Sequence, residues 1–346
     1  MIATITEPTL SPSLFHRHLM DTVRPEMAYD GGNVAEWQAR LRPKVRELVG
    51  FPEGERIDLN PYSLWRRDHE YGTIEKLILS SEPGSDILAY LCLPDNASPP
   101  FPFFICVQGH TTGFHHSIAV ERDDNSIPMA VEGDRDFGLQ CMARGIGALC
   151  IEQRSFGERR ERHQDWISTH PCHDATMQAL MLGRPLIGQR IFDVDRGLDF
   201  LETRDDVDWS RIGIMGNSGG GTISVFASAL LPRITHAMPS CYFCTFRDSI
   251  MSIYHCADNY VPGLLPFAEN ADVMGLFAPR PVVVVCGKDD PQFPVDGVRR
   301  AFADLQEIYQ AAGALNRCHL VVGQGGHRFY ADDAWPVMMR ELELVG

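Results

Sequence analysis

The chain has 346 residues, 44% of them hydrophobic and 22% charged, an ordinary balance for a folded globular protein that excludes wholesale disorder. Thirty-one basic residues against 46 acidic ones give a formal net charge of −15, which points away from nucleic acid and anionic membranes as main partners. No apolar run approaches the ~20 residues that span a bilayer, and residues 1–8 lack the basic-then-apolar pattern of a signal peptide, so a soluble, cytoplasmic protein is expected.

Residues 1–30 are polar and proline-punctuated and read as an arm or loop. From Asn33 to Val49, the apolar residues Val34, Trp37, Leu41, Val45 and Leu48 recur at steps of three and four, the mark of an amphipathic helix. Gly50 and Pro52 stop it, and Pro43 is placed to kink or split it. Residues 1–70 are therefore expected to form an N-terminal arm and helical cap, and residues 71–346 the main body. Thr73–Leu79 and Ile87–Leu93 read as paired strands joined by a turn over 82–85. The strands expected beyond them are Phe103–Val107, Gly147–Ile151, Ile212–Met215, Ile234–Met238, Val282–Cys286 and His319–Val322. Helical patterns at Phe137–Arg144, Ile187–Leu201, Thr222–Leu231, Val298–Ala312 and Ala334–Leu344 fall among them. This alternation predicts an α/β fold with a mostly parallel central sheet, helices on both faces and a short helical N-terminal extension. Two long connections, from Gly109 to about Asp134 and from Arg154 to about Gly188, leave the carboxyl ends of strands, where open α/β sheets bind ligands.

The sharpest motif is Gly216-Asn217-Ser218-Gly219-Gly220, set between an expected strand and an expected helix. A serine on such a turn is a nucleophile elbow: the turn strains its backbone, the glycines make room, and the helix N-terminus favours a developing oxyanion. A phosphate-binding loop is the competing reading, but no Gly-Lys-Ser/Thr follows and the dinucleotide G-x-G-x-x-G spacing is absent. A serine nucleophile needs a base, and the base an orienting acid. His327 lies in a glycine-rich loop past the last strand, and Asp289 and Asp290 follow the strand ending at Cys286, so both acids are candidates. The oxyanion hole takes the backbone N–H of Gly219 and one from the loop 108–113, with His110 ahead of Thr111. His115 and His116 are equally well read as solvated loop histidines, and the turn from Arg154 to Arg160 as a charged support beneath the site. Of the ten cysteines, Cys92, Cys106, Cys150 and Cys286 sit in apolar runs. Cys241-x-x-Cys244 could form a zinc site with Cys172-His173 or His255-Cys256, but buried free thiols are the preferred reading.

The elbow, the Asp-Pro turn and the Gly-Gly-His loop together resemble the α/β-hydrolase superfamily, over about residues 70–346. Leu182-Gly183-Arg184, Val207-Asp208, His255-Cys256, the run from Asn259 to Gly263 and the run from Ala278 to Pro281 look like its acetyl xylan esterase-like and dienelactone hydrolase-like branch. Dienelactone hydrolases use a cysteine where this chain has Ser218. The resemblance implies an α/β-hydrolase fold and a serine carboxylic ester hydrolase acting on short acyl groups, acetylated sugars among them, with Ser218, His327 and an acid as the triad. It also favours Asp290, three residues after Gly287; the following Pro291 biases Asp290 to an extended backbone. No metal or organic cofactor is expected. The expected partner is a small-molecule or sugar ester, with a homo-oligomer left open. The rivals are a prolyl-oligopeptidase-like peptidase, which needs a larger N-terminal domain than about 70 residues allow, and a non-enzymatic binding protein on a hydrolase scaffold, which commonly lacks a triad member.

Overall fold

The computed structural model describes residues 10–54, 56–161 and 172–344. In chain order the elements are α1 (Pro12–Thr22), α2 (Val34–Leu48), β1 (Tyr62–His69), β2 (Gly72–Glu82), β3 (Ser85–Pro94), β4 (Phe101–Val107), α3 (Phe137–Met142), β5 (Gly147–Ile151), α4 (His173–Met181) and α5 (Leu186–Glu202). They continue as β6 (Val207–Asn217), α6 (Gly219–Leu230), β7 (His236–Ser240), α7 (Asn270–Gly275), β8 (Val282–Gly287), α8 (Val295–Ala311), β9 (Cys318–Gly323) and α9 (Ala331–Glu341). One nine-stranded sheet runs in the order β1-β2-β3-β5-β4-β6-β7-β8-β9. β1, β2 and β3 pair antiparallel, β3 meets β5 antiparallel, and every pair from β5 to β9 is parallel.

Strand alternation divides the core in two. In β4, Phe103, Ile105 and Val107 face one cluster while Phe104 and Cys106 face the other, and in β8 Val282 and Val284 oppose Val283 and Val285. Apolar residues on both faces of a parallel strand require cover on both sides. α3 and α9 supply it on one face through Phe137, Met142, Trp335 and Met338. α2, α5, α6, α7 and α8 cover the other. The expected architecture is therefore observed.

Several elements differ from their sequence signals. The expected arm holds a helix, α1, with Leu14, Phe15 and Leu19 exposed, a pattern without a buried stripe to announce it; residues 1–9 of the arm are outside the described residues. Pro43 neither splits nor ends α2, which runs through it. Trp37, Leu41 and Val45 of α2 join the main core, and Gln38 donates to Gly275 O and Ala278 O at 2.9 and 2.8 Å. β1, at the sheet edge and mostly exposed, lacks the apolar alternation that reveals a strand. α6 begins three residues before its expected start, directly at Gly219. The second long connection lies partly outside the described residues, at 162–171, and carries α4 before α5.

Candidate active site

β6 ends at Asn217 and α6 starts at Gly219, which leaves Ser218 alone at the corner with φ 59° and ψ −121°. A positive φ at a residue with a side chain costs on the order of 1–3 kcal/mol and persists only where the surroundings impose it. Here they do. Ser218 N–H donates to Ser240 O of β7 at 2.9 Å, and a Cβ on Gly220 would collide with Val107 O of β4. The carboxyl end of β4 then passes over the corner so closely that a Cβ on Gly109 would lie 2.6 Å from Asn217 O and 2.9 Å from Ser218 Cβ. That contact delivers His110 to the elbow. Gly219, as the first residue of α6, has an N–H with no intrahelical acceptor.

The loops after β8 and β9 carry Asp290 and His327. Lys288 N–H donates to Gly323 O and Asp289 N–H to Gly325 O, both at 2.9 Å, so the two loops are stitched together. Asp290 Oδ2 lies 2.7 Å from His327 Nδ1, and its other oxygen accepts from Gln292 N–H at 2.9 Å and Phe293 N–H at 3.3 Å. Asp290 is buried whereas Asp289 is exposed. The Phe293 ring stacks on His327 at 5.8 Å and 19°. With Nδ1 engaged, Nε2 is the His327 nitrogen that can serve a nucleophile. The His327 loop reaches the Ser218 corner through Arg328 O, which lies 3.5 Å from Ser240 Oγ, on the same residue that receives the Ser218 N–H.

Next to Gly219, His110 Nε2 lies 2.7 Å from Asp258 Oδ1, and Asp258 Oδ2 lies 2.7 Å from Arg190 Nη1. The His110 ring stands edge-on to Phe156 at 4.7 Å, and the Arg190 guanidinium lies 4.2 Å over the same ring. Burial disfavours a charge on His110, but the Asp258 carboxylate outweighs it and the pKa rises to about 9. A cleft of about 590 Å³ opens here, lined by His110, Thr111, Phe156, Cys172 and Cys256 among others.

The remaining candidates have other surroundings. His115 is buried, not a solvated loop histidine, and burial pushes it and His116 down to about 4, so both are neutral near pH 7. Arg154 reaches Asp193 at 2.7 and 2.9 Å, Glu82 at 2.9 Å and Gln189 at 2.7 Å. The zinc set weighed against buried free thiols, Cys241 and Cys244 completed by Cys172 or Cys256, does not come together among the described residues. Cys241 instead lies with Asp290 and His327, and Cys172 and Cys256 lie with His110 and Asp258, each set with one ligand atom per residue inside 4.8 Å. These are the two groups that could hold a metal among the described residues. Asp258 and Arg190 carry no motif of their own. The only sequence trace of Asp258 is its place between the His255-Cys256 pair and Asn259.

The Abhydrolase family model matches residues 11–311. A curated protein of Bacillus subtilis (strain 168), “Putative hydrolase YtaP”, is 26% identical over 298 residues, 84% of this chain and 94% of that one. A solved structure from Bacteroides fragilis NCTC 9343, described as “a putative acetyl xylan esterase”, has a TM-score of 0.74 at 16% identity and covers 94% of this chain and 85% of its own. The glucuronoyl esterase from Solibacter usitatus has a TM-score of 0.64 at 16% identity over 93% of this chain and 97% of its own. At such identities the likeness to the solved structures is one of fold.

Proposed function

This chain belongs to the Abhydrolase family, and from that premise we propose that it is a serine carboxylic ester hydrolase acting on short-chain acyl esters, acetylated sugars among them. The observation that carries the reading is the strained Ser218 corner beside a His327–Asp290 pair closed at 2.7 Å. The fold likeness to a protein described as an acetyl xylan esterase and to a glucuronoyl esterase supports the substrate class.

In this reading Ser218 Oγ attacks the acyl carbon as its proton passes to His327 Nε2. The carbonyl π pair moves onto oxygen, and the N–H groups of Gly219 and His110 hold that oxyanion. Asp290 fixes the imidazole tautomer and stabilises the imidazolium. The tetrahedral intermediate collapses, the C–O bond to the alcohol breaks, and the alcohol leaves with the proton from Nε2. Water then repeats the cycle on the acyl-enzyme, with His327 again as base, releasing the carboxylic acid and free Ser218.

Turnover on aryl esters from acetyl to decanoyl, and on acetylated sugars, tests this beside labelling by a fluorophosphonate. The expected result is stoichiometric labelling and fastest turnover on the acetyl esters. A chain that neither labels nor hydrolyses any ester overturns the reading.

A further inference from the structure

The His110–Asp258 pair is more than a loop anchor. Asp258 is 2% exposed and Arg190 is 2% exposed, so a carboxylate and a guanidinium have both been taken out of water beside the elbow. Cys172 and Cys256 complete a group whose donor atoms lie within 4.8 Å of one another, which is a ligand set in composition. Its carboxylate is already committed, however. One oxygen faces His110 and the other faces the Arg190 cation, each at 2.7 Å. A metal ion there would have to displace the histidine contact and share the carboxylate with a fixed positive charge. The arrangement fits an ion triad better than a metal site.

The other edge of the His110 ring faces the elbow. A Cβ on Gly219 would fall 2.9 Å from His110 Nδ1 and 3.0 Å from Cε1. The ring thus occupies the space a side chain at position 219 would fill, beside the N–H that receives the oxyanion. Resting on the ester-hydrolase reading, we propose that the His110 side chain is itself a catalytic residue: an imidazolium whose Nδ1–H gives the oxyanion a third, charged donor in addition to the two backbone N–H groups.

The tautomer argument requires the charged form. Asp258 as a carboxylate accepts only, so His110 Nε2 carries a proton. A neutral ring would then turn the Nδ1 lone pair toward a developing negative charge and repel it, whereas the imidazolium turns an N–H. The groups facing His110 set its charge. Asp258, from the turn at 257–259, and the hydrogen bond to Cys172 favour protonation, and Arg190 of α5 opposes it. The Cys172 thiol at the start of α4 is pushed up by its contact with Cys256 and by burial, so it stays neutral. His255 is held down to about 4 by burial and by the charge of His110, so it adds no competing cation. One carboxylate between two cations leaves a net positive charge where negative charge develops, and a preorganised donor in a water-poor site is worth about 10²–10³ in rate.

His110→Gln keeps the backbone N–H and removes the cation. Its kcat for an acetyl ester should fall about 10²-fold with KM nearly unchanged. Wild-type kcat should decline on an alkaline limb near pH 9, and that limb should vanish in His110→Gln. Asp258→Asn, which withdraws the charge that retains the proton, should move the limb toward neutral pH. Melting curves certify that each variant is folded, and should His110→Gln fail to fold, NMR titration of the histidines in Ser218→Ala gives the His110 pKa directly. An unchanged kcat in folded His110→Gln, an alkaline limb that survives in it, or a His110 that titrates below 7 would each overturn the proposal. Those results are distinct from failure of the hydrolase reading, in which the wild type itself neither labels with fluorophosphonate nor turns over.

Discussion

Two histidine–aspartate pairs approach the Ser218 corner from different loops, and comparing them separates the chemistry each is suited to. Each closes at 2.7 Å. Behind Asp290 are two backbone N–H dipoles, from Gln292 and Phe293; behind Asp258 is the full charge of Arg190. His327 gives its acid Nδ1 and leaves Nε2, whereas His110 gives its acid Nε2 and leaves Nδ1. A general base must cycle between protonation states at every turnover. A fixed cation must not. Neutral dipoles orient a carboxylate without adding a charge, which suits the first task. The Asp258–Arg190 arrangement buries charges that hold one another, which suits the second. The same two side chains thus acquire different chemistry from what lies one contact further out.

The largest effect expected from breaking either side is at the residue they share. Ser218→Ala should lose turnover by up to about 10⁶, the scale for removing such a nucleophile, and all fluorophosphonate labelling, while its melting temperature holds, because alanine keeps the Cβ and the corner is imposed by its neighbours. Labelling that persists in the variant moves the nucleophile elsewhere. Next comes Asp290→Asn, where an amide favours the wrong histidine tautomer and costs about 10⁴ in kcat. Exposed Asp289, whose N–H only ties its loop to Gly325, should tolerate Asn within a few-fold. The reverse ranking in two folded variants would assign the acid to Asp289.

The two sides were unequally legible in the sequence. The His327 side is local: an elbow, an Asp-Pro turn and a Gly-Gly-His loop each announce themselves within a few residues, and chain order links them. The His110 side depends on contacts across 148 residues to Asp258 and onward to Arg190, and no periodicity or spacing ties those positions together. The spacing in the sequence therefore suggests a backbone role for His110 and carries no sign of its ring's contact with Asp258. The same contrast holds for the fold. Buried parallel strands such as β4 and β8 declare themselves by unbroken apolar runs, while β1, exposed at the edge, and α4, with few buried residues, carry no pattern strong enough to read.

A third buried carboxylate sharpens the comparison by lacking a histidine. Asp193 is held by Arg154 and Arg159 and accepts from Ser81 Oγ at 2.6 Å; burial alone would raise its pKa, but the two guanidinium groups win and hold it well below the carboxylate range. Arg154→Met leaves that charge half-compensated, and breaking a buried pair from one side costs about 3–5 kcal/mol. Stability measured by denaturant should fall by that order, while kcat of the folded fraction stays within a few-fold. A large loss in kcat with stability intact would instead put Arg154 in contact with substrate.

The smallest expected effect is on stability as a function of pH, and here the two regions around the site pull in opposite directions. His115, His116 and His255 are held down to about 4, below the unfolded value near 6.5. Their contribution is complete above about 6.5 and is lost as pH falls toward 4. His110 is held up at about 9, so its contribution is complete below about 6.5 and is lost as pH rises toward 9. Glu152 and Glu269, raised to about 7 by burial, lose theirs on the way up from about 4.5 to 7, before the His110 window closes. Between pH 7.5 and 9 the difference between wild type and His110→Gln therefore isolates His110. The wild-type melting temperature should fall by about 2–4 °C more than that of the variant across this interval, and the two curves should run parallel below pH 6, where the imidazole is protonated folded or unfolded. Parallel curves from 7.5 to 9 as well would mean that His110 is neutral in the folded protein, and the contrast between the two pairs would collapse to one of position alone.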